Sequence, residues 1–110
     1  MQISPRTYQG ATVVVAVVGK LDSKTSPDAQ RQFDGILAGG ARALVVDCTG
    51  LDYISSAGLR VLLGAAKRLG GGGALRLFGL NQTVSEVFQI SGFATILSVF
   101  ATESEALAGL

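Results

Sequence analysis

Residues 51–63, LDYISSAGLRVLL, carry the chain out of a strand-end loop, past two serines, a small residue and a glycine, into a strongly apolar run. From about Ala57 to Leu69, the residues Leu59, Leu62, Leu63, Ala66 and Leu69 recur at helical spacing, with Arg60, Lys67 and Arg68 on the other side. This predicts an amphipathic helix laid against a sheet. Ser55 or Ser56 stands at its N-terminus, where backbone N–H groups lack intrahelical acceptors and the macrodipole is positive. A phosphate there would meet the amides of Ala57, Gly58 and Leu59. Phosphorylation would add about −1.5 to −2 charges at that point. Ala57 and Gly58 are small and leave the helix start open. The same serines also have a plain role as N-caps.

Upstream, Val13 to Val18 is a β-branched run bounded by Gly10 and Gly19, the pattern of a buried strand. Gln2 to Tyr8 reads as a weaker strand paired with it through the Gln9-Gly10 turn. Ser26 at the N-cap, Pro27 at the first helical position and Asp28 in the first turn open a helix. Ala29, Phe33, Ile36 and Leu37 share its apolar face, and Gly39-Gly40 stops it. Ala43 to Val46 is a second buried strand ending at Asp47, and Cys48 to Ile54 is a connection. Gly70 to Gly73 ends the next helix and turns the chain into a third buried strand, Ala74 to Phe78. Asn81 caps a helix carrying Val84, Val87 and Phe88, which Ser91-Gly92 ends. Ile96 to Phe100 is a last short strand, and Thr102 with Glu105 forms a capping box before a final helix.

This order predicts an α/β fold. One domain spans residues 1–110, with a four- or five-stranded mixed sheet whose central strands are parallel. About four helices pack against it, starting near Ser26, Ala57, Asn81 and Glu103.

Composition narrows the function. The 110 residues suit one domain, and 48% apolar residues supply a core. A net charge of +1 and few aromatics argue against nucleic-acid binding. The chain contains no His, which removes the commonest general base and metal ligand. Cys48 is the single cysteine, so no disulfide forms within the chain, and a reducing compartment fits. It reads as a buried apolar residue near a strand end. Met1 to Gly10 lacks a signal-peptide pattern, and Ala11 to Val18 is too short to cross a bilayer. A cytoplasmic protein with no membrane partner is expected. The Gly70–Gly73 run lacks the Lys-Ser/Thr of a phosphate loop and ends a helix instead of opening one, so no nucleotide site is expected. No paired carboxylates lie near Ser56, and no base faces a nucleophile. No catalytic residue, metal or cofactor is assigned.

Leu51 to Leu63 resembles the signature of the STAS family, the sulfate transporter and anti-sigma factor antagonist domains. There an aspartate-serine-serine/threonine-glycine-leucine segment opens the second helix, and its first serine is the phosphoacceptor. That serine matches Ser56, followed by Ala57, Gly58 and Leu59. Gly19-Lys20-Leu21-Asp22 is similar to the family's glycine-x-leucine-aspartate after the second strand, and Val84 to Gly92 to its third helix. The sequence departs from the pattern at Ser55, where the family has the aspartate, and at Ala57. Ser55 is thereby a second candidate acceptor.

The resemblance implies an anti-sigma factor antagonist. Its unmodified form binds an anti-sigma factor that is also a serine kinase with a histidine-kinase-like ATP fold, and so releases a sigma factor. Phosphate on Ser56 blocks binding, with no cation of this chain placed to meet it in the interface. A metal-dependent serine/threonine phosphatase restores the free form. The partner-binding residues implied are Asp22, Ser23, Ser55, Ser56, Ala57, Gly58 and Arg60. Asp22 is equally explained as a turn residue, and Arg60 as part of a solvated helix face. The alternative is an adaptor or scaffold subunit with no phosphate switch.

Overall fold

The structure is a computed structural model that describes residues 1–70 and 74–110. Its central strand is the β-branched run, β2 (Thr12–Leu21). The strand β1 (Gln2–Thr7) lies antiparallel to it, with Gln2 opposite Val18 and Thr7 opposite Val13. Two strands take up successive stretches of β2 in parallel. The first, β3 (Ala43–Asp47), lies beside Thr12–Ala16, and the second, β4 (Leu51–Ile54), lies beside Gly19–Leu21. Beyond β3 the parallel sheet continues through β5 (Leu75–Phe78) to β6 (Ser98–Phe100). The order is β1-β2-β3-β5-β6, with β4 on β2. The helices among the described residues are α1 (Ser26–Ala38), α2 (Ser56–Arg68), α3 (Gln82–Ser91) and α4 (Glu103–Leu107), all close to their expected starts.

Alternation along the strands divides the sheet into two unequal faces. Val15, Val17, Leu44, Val46, Leu75 and Leu77 enter the larger core with Phe33 of α1, Leu59 and Leu62 of α2, and Val84 and Phe88 of α3. Val14, Val45 and Phe78 enter a smaller one against Ala106 of α4. Arg76 of β5 fastens α4 there. It donates to the carbonyls of Ala106 and Ala108 at 3.0 and 2.6 Å and lies over the Phe100 ring.

Four sequence expectations are corrected. The sheet has six strands among the described residues, because Leu51–Ile54 of the expected connection pairs with β2. That strand hides in the sequence because its burial does not alternate: Leu51 and Ile54 are buried and Asp52 and Tyr53 exposed, across a register shift at Gly19/Lys20. The last strand begins at Ser98, since the amides of Ile96 and Leu97 turn back to the Phe93 carbonyl in a 3₁₀ turn. Ser26 is the first residue of α1 and not its cap; its hydroxyl donates to the Asp22 carbonyl oxygen. The buried face of α2 is Leu59, Val61, Leu62, Ala65 and Ala66, while Leu63 and Leu69 are half-buried. The shift arises because α2 packs sideways on α1 as well as down on the sheet: Ala57 and Val61 face Pro27 and Gln30, and Arg68 pairs with Asp34. Gly70 has φ +91° and follows the end of α2; the rest of the expected turn, Gly71 to Gly73, lies outside the described residues.

Leu62→Ala, at a position 1% exposed, is expected to lower unfolding free energy by about 2–5 kcal/mol. Leu63→Ala is expected to cost less than about 1.5 kcal/mol, because only part of its surface leaves water. Urea unfolding followed by circular dichroism checks the contrast, which reverses if Leu63 and not Leu62 faces the sheet.

Candidate functional site

The site starts where β4 ends. The Ser55 amide donates to the Leu21 carbonyl at 2.9 Å, which ties the entry to α2 onto the last residue of β2. Ser55 then leaves the strand direction with extended backbone and caps α2, its hydroxyl oxygen accepting from the Gly58 amide at 3.4 Å. The Leu59 amide is taken by the Ser55 carbonyl at 2.9 Å. This narrows the expected anion cradle: Gly58 and Leu59 are engaged, and the Ser56 and Ala57 amides are left without an intrahelical acceptor. Ser56 is the first helical residue, exposed, and makes no side-chain hydrogen bond among the described residues. The two serines, undivided in the sequence, therefore have different surroundings.

Gly58 is there because nothing larger fits. A Cβ on it would lie 2.7 Å from the Leu21 carbonyl oxygen and 2.8 Å from both Leu21 Cγ and Ile54 Cγ1. Helix α2 thus meets β2 backbone to backbone, and the loop after β2 is carried to the side of Ser56.

That loop is organised by Asp22. Its carboxylate oxygen Oδ1 accepts from the amides of Lys24 and Thr25 at 3.0 and 3.1 Å and from the Thr25 hydroxyl at 3.3 Å. Its carbonyl accepts from the Ser26 amide at 2.8 Å. Thr25 in turn donates its hydroxyl to the Lys20 carbonyl at 3.0 Å. The hydrogen bond from the Thr25 amide is the main cause that holds the Asp22 carboxyl below its ordinary 3.8, opposed by a smaller desolvation effect. The geometry gives Asp22 the turn role outright: it shapes the loop and starts α1.

Between the first turns of α1 and α2 lies a shallow cleft of about 370 Å³. Ser23, Ala57 and Arg60 line it, so three of the expected site residues meet there, with Ser56 exposed on the turn that borders it. Ser26, Pro27, Gln30 and Val61 complete the wall. These four escaped notice because Ser26 and Pro27 carry the helix-start pattern and Gln30 and Val61 carry none. The signal for Ser26, Pro27 and Gln30 is their place shortly after the Gly19–Asp22 motif, whereas Val61 is reached only through the packing of α2 on α1. Arg60 lies four residues after Ser56 on the same helix and is exposed, so a cation does stand one turn from the candidate acceptor. Cys48 is buried as expected. Desolvation, and secondarily the Asp47 charge, pushes its thiol up to about 12, which leaves it without nucleophilic character. No helix of the described residues is long and apolar enough to cross a membrane.

Comparison with known proteins agrees with this fold. The STAS domain model matches residues 2–106. The Bordetella bronchiseptica protein BtrV, whose name gives it as a candidate anti-sigma factor antagonist, is 40% identical over 97 residues, covering 87% of this chain and 83% of its own. The anti-sigma-B factor antagonist of Listeria monocytogenes is 30% identical over 92 residues, covering 83% and 81%. Among solved structures, Bacillus SpoIIAA in its phosphorylated form superposes with a TM-score of 0.71 at 24% identity, over 96% of each chain.

Two measurements test the frame of the site. Gly58→Ala is expected to destabilise by about 1–3 kcal/mol through the collision with Leu21, although alanine is the better helix former. Gly64→Ala, where a Cβ meets nothing within 4 Å, is expected to stabilise by up to about 1 kcal/mol. Equal effects in denaturant unfolding would deny the close contact. For Asp22, the lowered carboxyl pKa means that the fold favours the ionised form. Its contribution is complete above the ordinary 3.8 and is lost as pH falls through the lowered value. Asp22→Asn, which keeps the acceptor and removes the charge, is expected to be less stable than wild type at pH 7, the gap closing in acid.

Proposed function

Since the chain belongs to the STAS domain family, we propose that it acts as an anti-sigma factor antagonist, as its relatives are named. In this reading the unmodified protein binds an anti-sigma factor that is also a serine kinase with a histidine-kinase-like ATP fold, and a sigma factor is freed. The docking surface is the rim of the α1–α2 cleft, made by Asp22, Ser23, Ser55, Ser56, Ala57 and Arg60, while Gly58, expected among them, is buried and serves by letting α2 approach β2. Both proteins work in the cytoplasm, where ATP is supplied.

The observation that carries the reading is the difference between the two serines. Ser55 uses its hydroxyl to cap α2, whereas the Ser56 hydroxyl is exposed and unbonded among the described residues. Ser56 is the acceptor: its hydroxyl gives its proton to a base of the kinase, its oxygen bonds the γ-phosphorus of ATP, the bond from that phosphorus to the β-phosphate bridging oxygen breaks, and ADP leaves. The free protein tolerates the product, because a helix N-terminus offers open amides and a favourable dipole. A packed interface does not, since the dianion would have to lose its water there. A metal-dependent serine/threonine phosphatase resets the protein. Bacillus SpoIIAA, of the same fold, is known in a phosphorylated form. A second reading, a constitutive adaptor, draws on Ser55 standing where the family pattern has an aspartate.

With the cognate kinase and labelled ATP, wild type and Ser55→Ala are expected to take up phosphate and Ser56→Ala none. Ser55→Ala also loses a cap, at about 1 kcal/mol. Ser56→Asp is expected to keep a cooperative unfolding transition but bind the kinase about tenfold or more weakly, a loss of about 1.4 kcal/mol, while Ser56→Ala still binds. Label that persists in Ser56→Ala and vanishes in Ser55→Ala would move the acceptor by one residue. A wild type that binds but is never labelled supports the adaptor.

A further inference from the structure

Arg60 stands out among the arginines near the site. Arg31 pairs with Asp28 and Arg68 with Asp34, as the more distant Arg6 does with Glu103. Arg60 is exposed and has no ion pair or side-chain hydrogen bond among the described residues. It lines the α1–α2 cleft with Ser23 and Gln30. It also lies four residues after Ser56 on α2, one turn along the same face. Helical side chains lean back toward the N-terminus and cover the preceding turn, so the guanidinium of Arg60 is carried toward Ser56 and not away from it. The turn between them presents no obstacle, being Ala57, Gly58 and the buried Leu59.

We propose that Arg60 is the internal partner of a phosphate on Ser56, and that forming this pair withdraws its guanidinium from the α1–α2 cleft; the regulatory meaning rests on the Ser56 switch proposed above. In the unmodified protein Arg60 offers a cation to an acidic group of a partner docked over the cleft. Once Ser56 carries phosphate, the fork of the guanidinium takes two of its oxygens. Phosphorylation then acts twice, placing an anion at the rim and removing the cation the partner would meet. The other charged groups around this turn do not compete for Arg60. Asp22 holds the Lys24 and Thr25 amides, Asp28 is paired with Arg31, Asp52 sits exposed on β4, and Lys24 bears the same sign as Arg60.

The test uses the full chain with phosphoserine installed at position 56 during translation, so that no kinase is needed. Phosphorus NMR follows the second ionisation of the phosphate in the Arg60 protein and in Arg60→Lys and Arg60→Gln. With Arg60 present, the phosphate is expected to hold its proton about twofold to fivefold less tightly than in R60Q, where a shorter neutral amide replaces the cation, and R60K is expected to lie between them. The Arg60 Nε–H proton signal is expected to move downfield in the phosphoserine protein and to stay in place in Ser56→Ala. A phosphate that titrates alike in the Arg60 and R60Q proteins, or an Arg60 signal that does not move, overturns the pairing. Should R60Q fail to fold, the Arg60 signal of the phosphoserine protein decides alone. The two proposals fail separately: pairing in a protein that the kinase never labels sinks only the switch, and no pairing in a protein that it does label sinks only the role of Arg60.

Discussion

The contact between Gly58 and the end of β2 governs the end of the molecule that carries the candidate site. With no Cβ at this position, the first turn of α2 rests directly on the Leu21 carbonyl and side chain, and the Ser55 amide bonds the same carbonyl at 2.9 Å. Two segments distant in the chain, the turn after β2 and the start of α2, are brought to one edge of the sheet. Any side chain at position 58 would have to push α2 off β2, and in a close-packed interior such a shift is felt by every neighbour. The α2 wall of the cleft, with Ser56 on its first turn, is set beside β2 by that approach.

The sheet provides a stiff base for it. Its larger face buries α1, α2 and α3, and its smaller face is closed by the five-residue α4 held by Arg76. The strand β4 continues beside β2 past the end of β3, so the chain enters α2 from a paired strand and not from a free loop. On the opposite wall of the cleft, α1 is started by the Asp22–Thr25 hydrogen-bond set, which fixes its first turn relative to β2. Both walls are therefore anchored to the same strand, and their spacing does not depend on a flexible connection.

A serine on the first turn of a helix suits a switch for an electrostatic reason. The open amides and dipole of α2 make added negative charge acceptable to the isolated protein, so the modification need not disturb the fold. The same charge is costly to enclose against a partner. The difference between those two environments is what a phosphate on Ser56 would exploit. Arg60, one turn along, adjusts the contrast from within the same helix.

The α/β class, the parallel centre of the sheet and the four helix starts were legible in the sequence, because they depend on local periodicity and on caps such as Asn81 and Thr102 that act within three residues. The neighbourhood of the candidate acceptor serine was legible too, through its resemblance to a known family. The strand β4 was not, since its burial is set by a register shift against β2 and carries no alternation of its own. Nor was the face of α2, where Val61 and not Leu63 is buried: helical spacing reports that a face exists, but the neighbour α1 decides how wide it is. The roles of Ser55 and Ser56 likewise waited on the tertiary structure. Both are serines in one motif, and only the bond from Ser55 to Leu21 sets which of them caps α2 and which faces solvent. Sequence determines what each segment can form alone; which atoms are then covered depends on contacts between segments far apart in the chain, and that is information no local pattern holds.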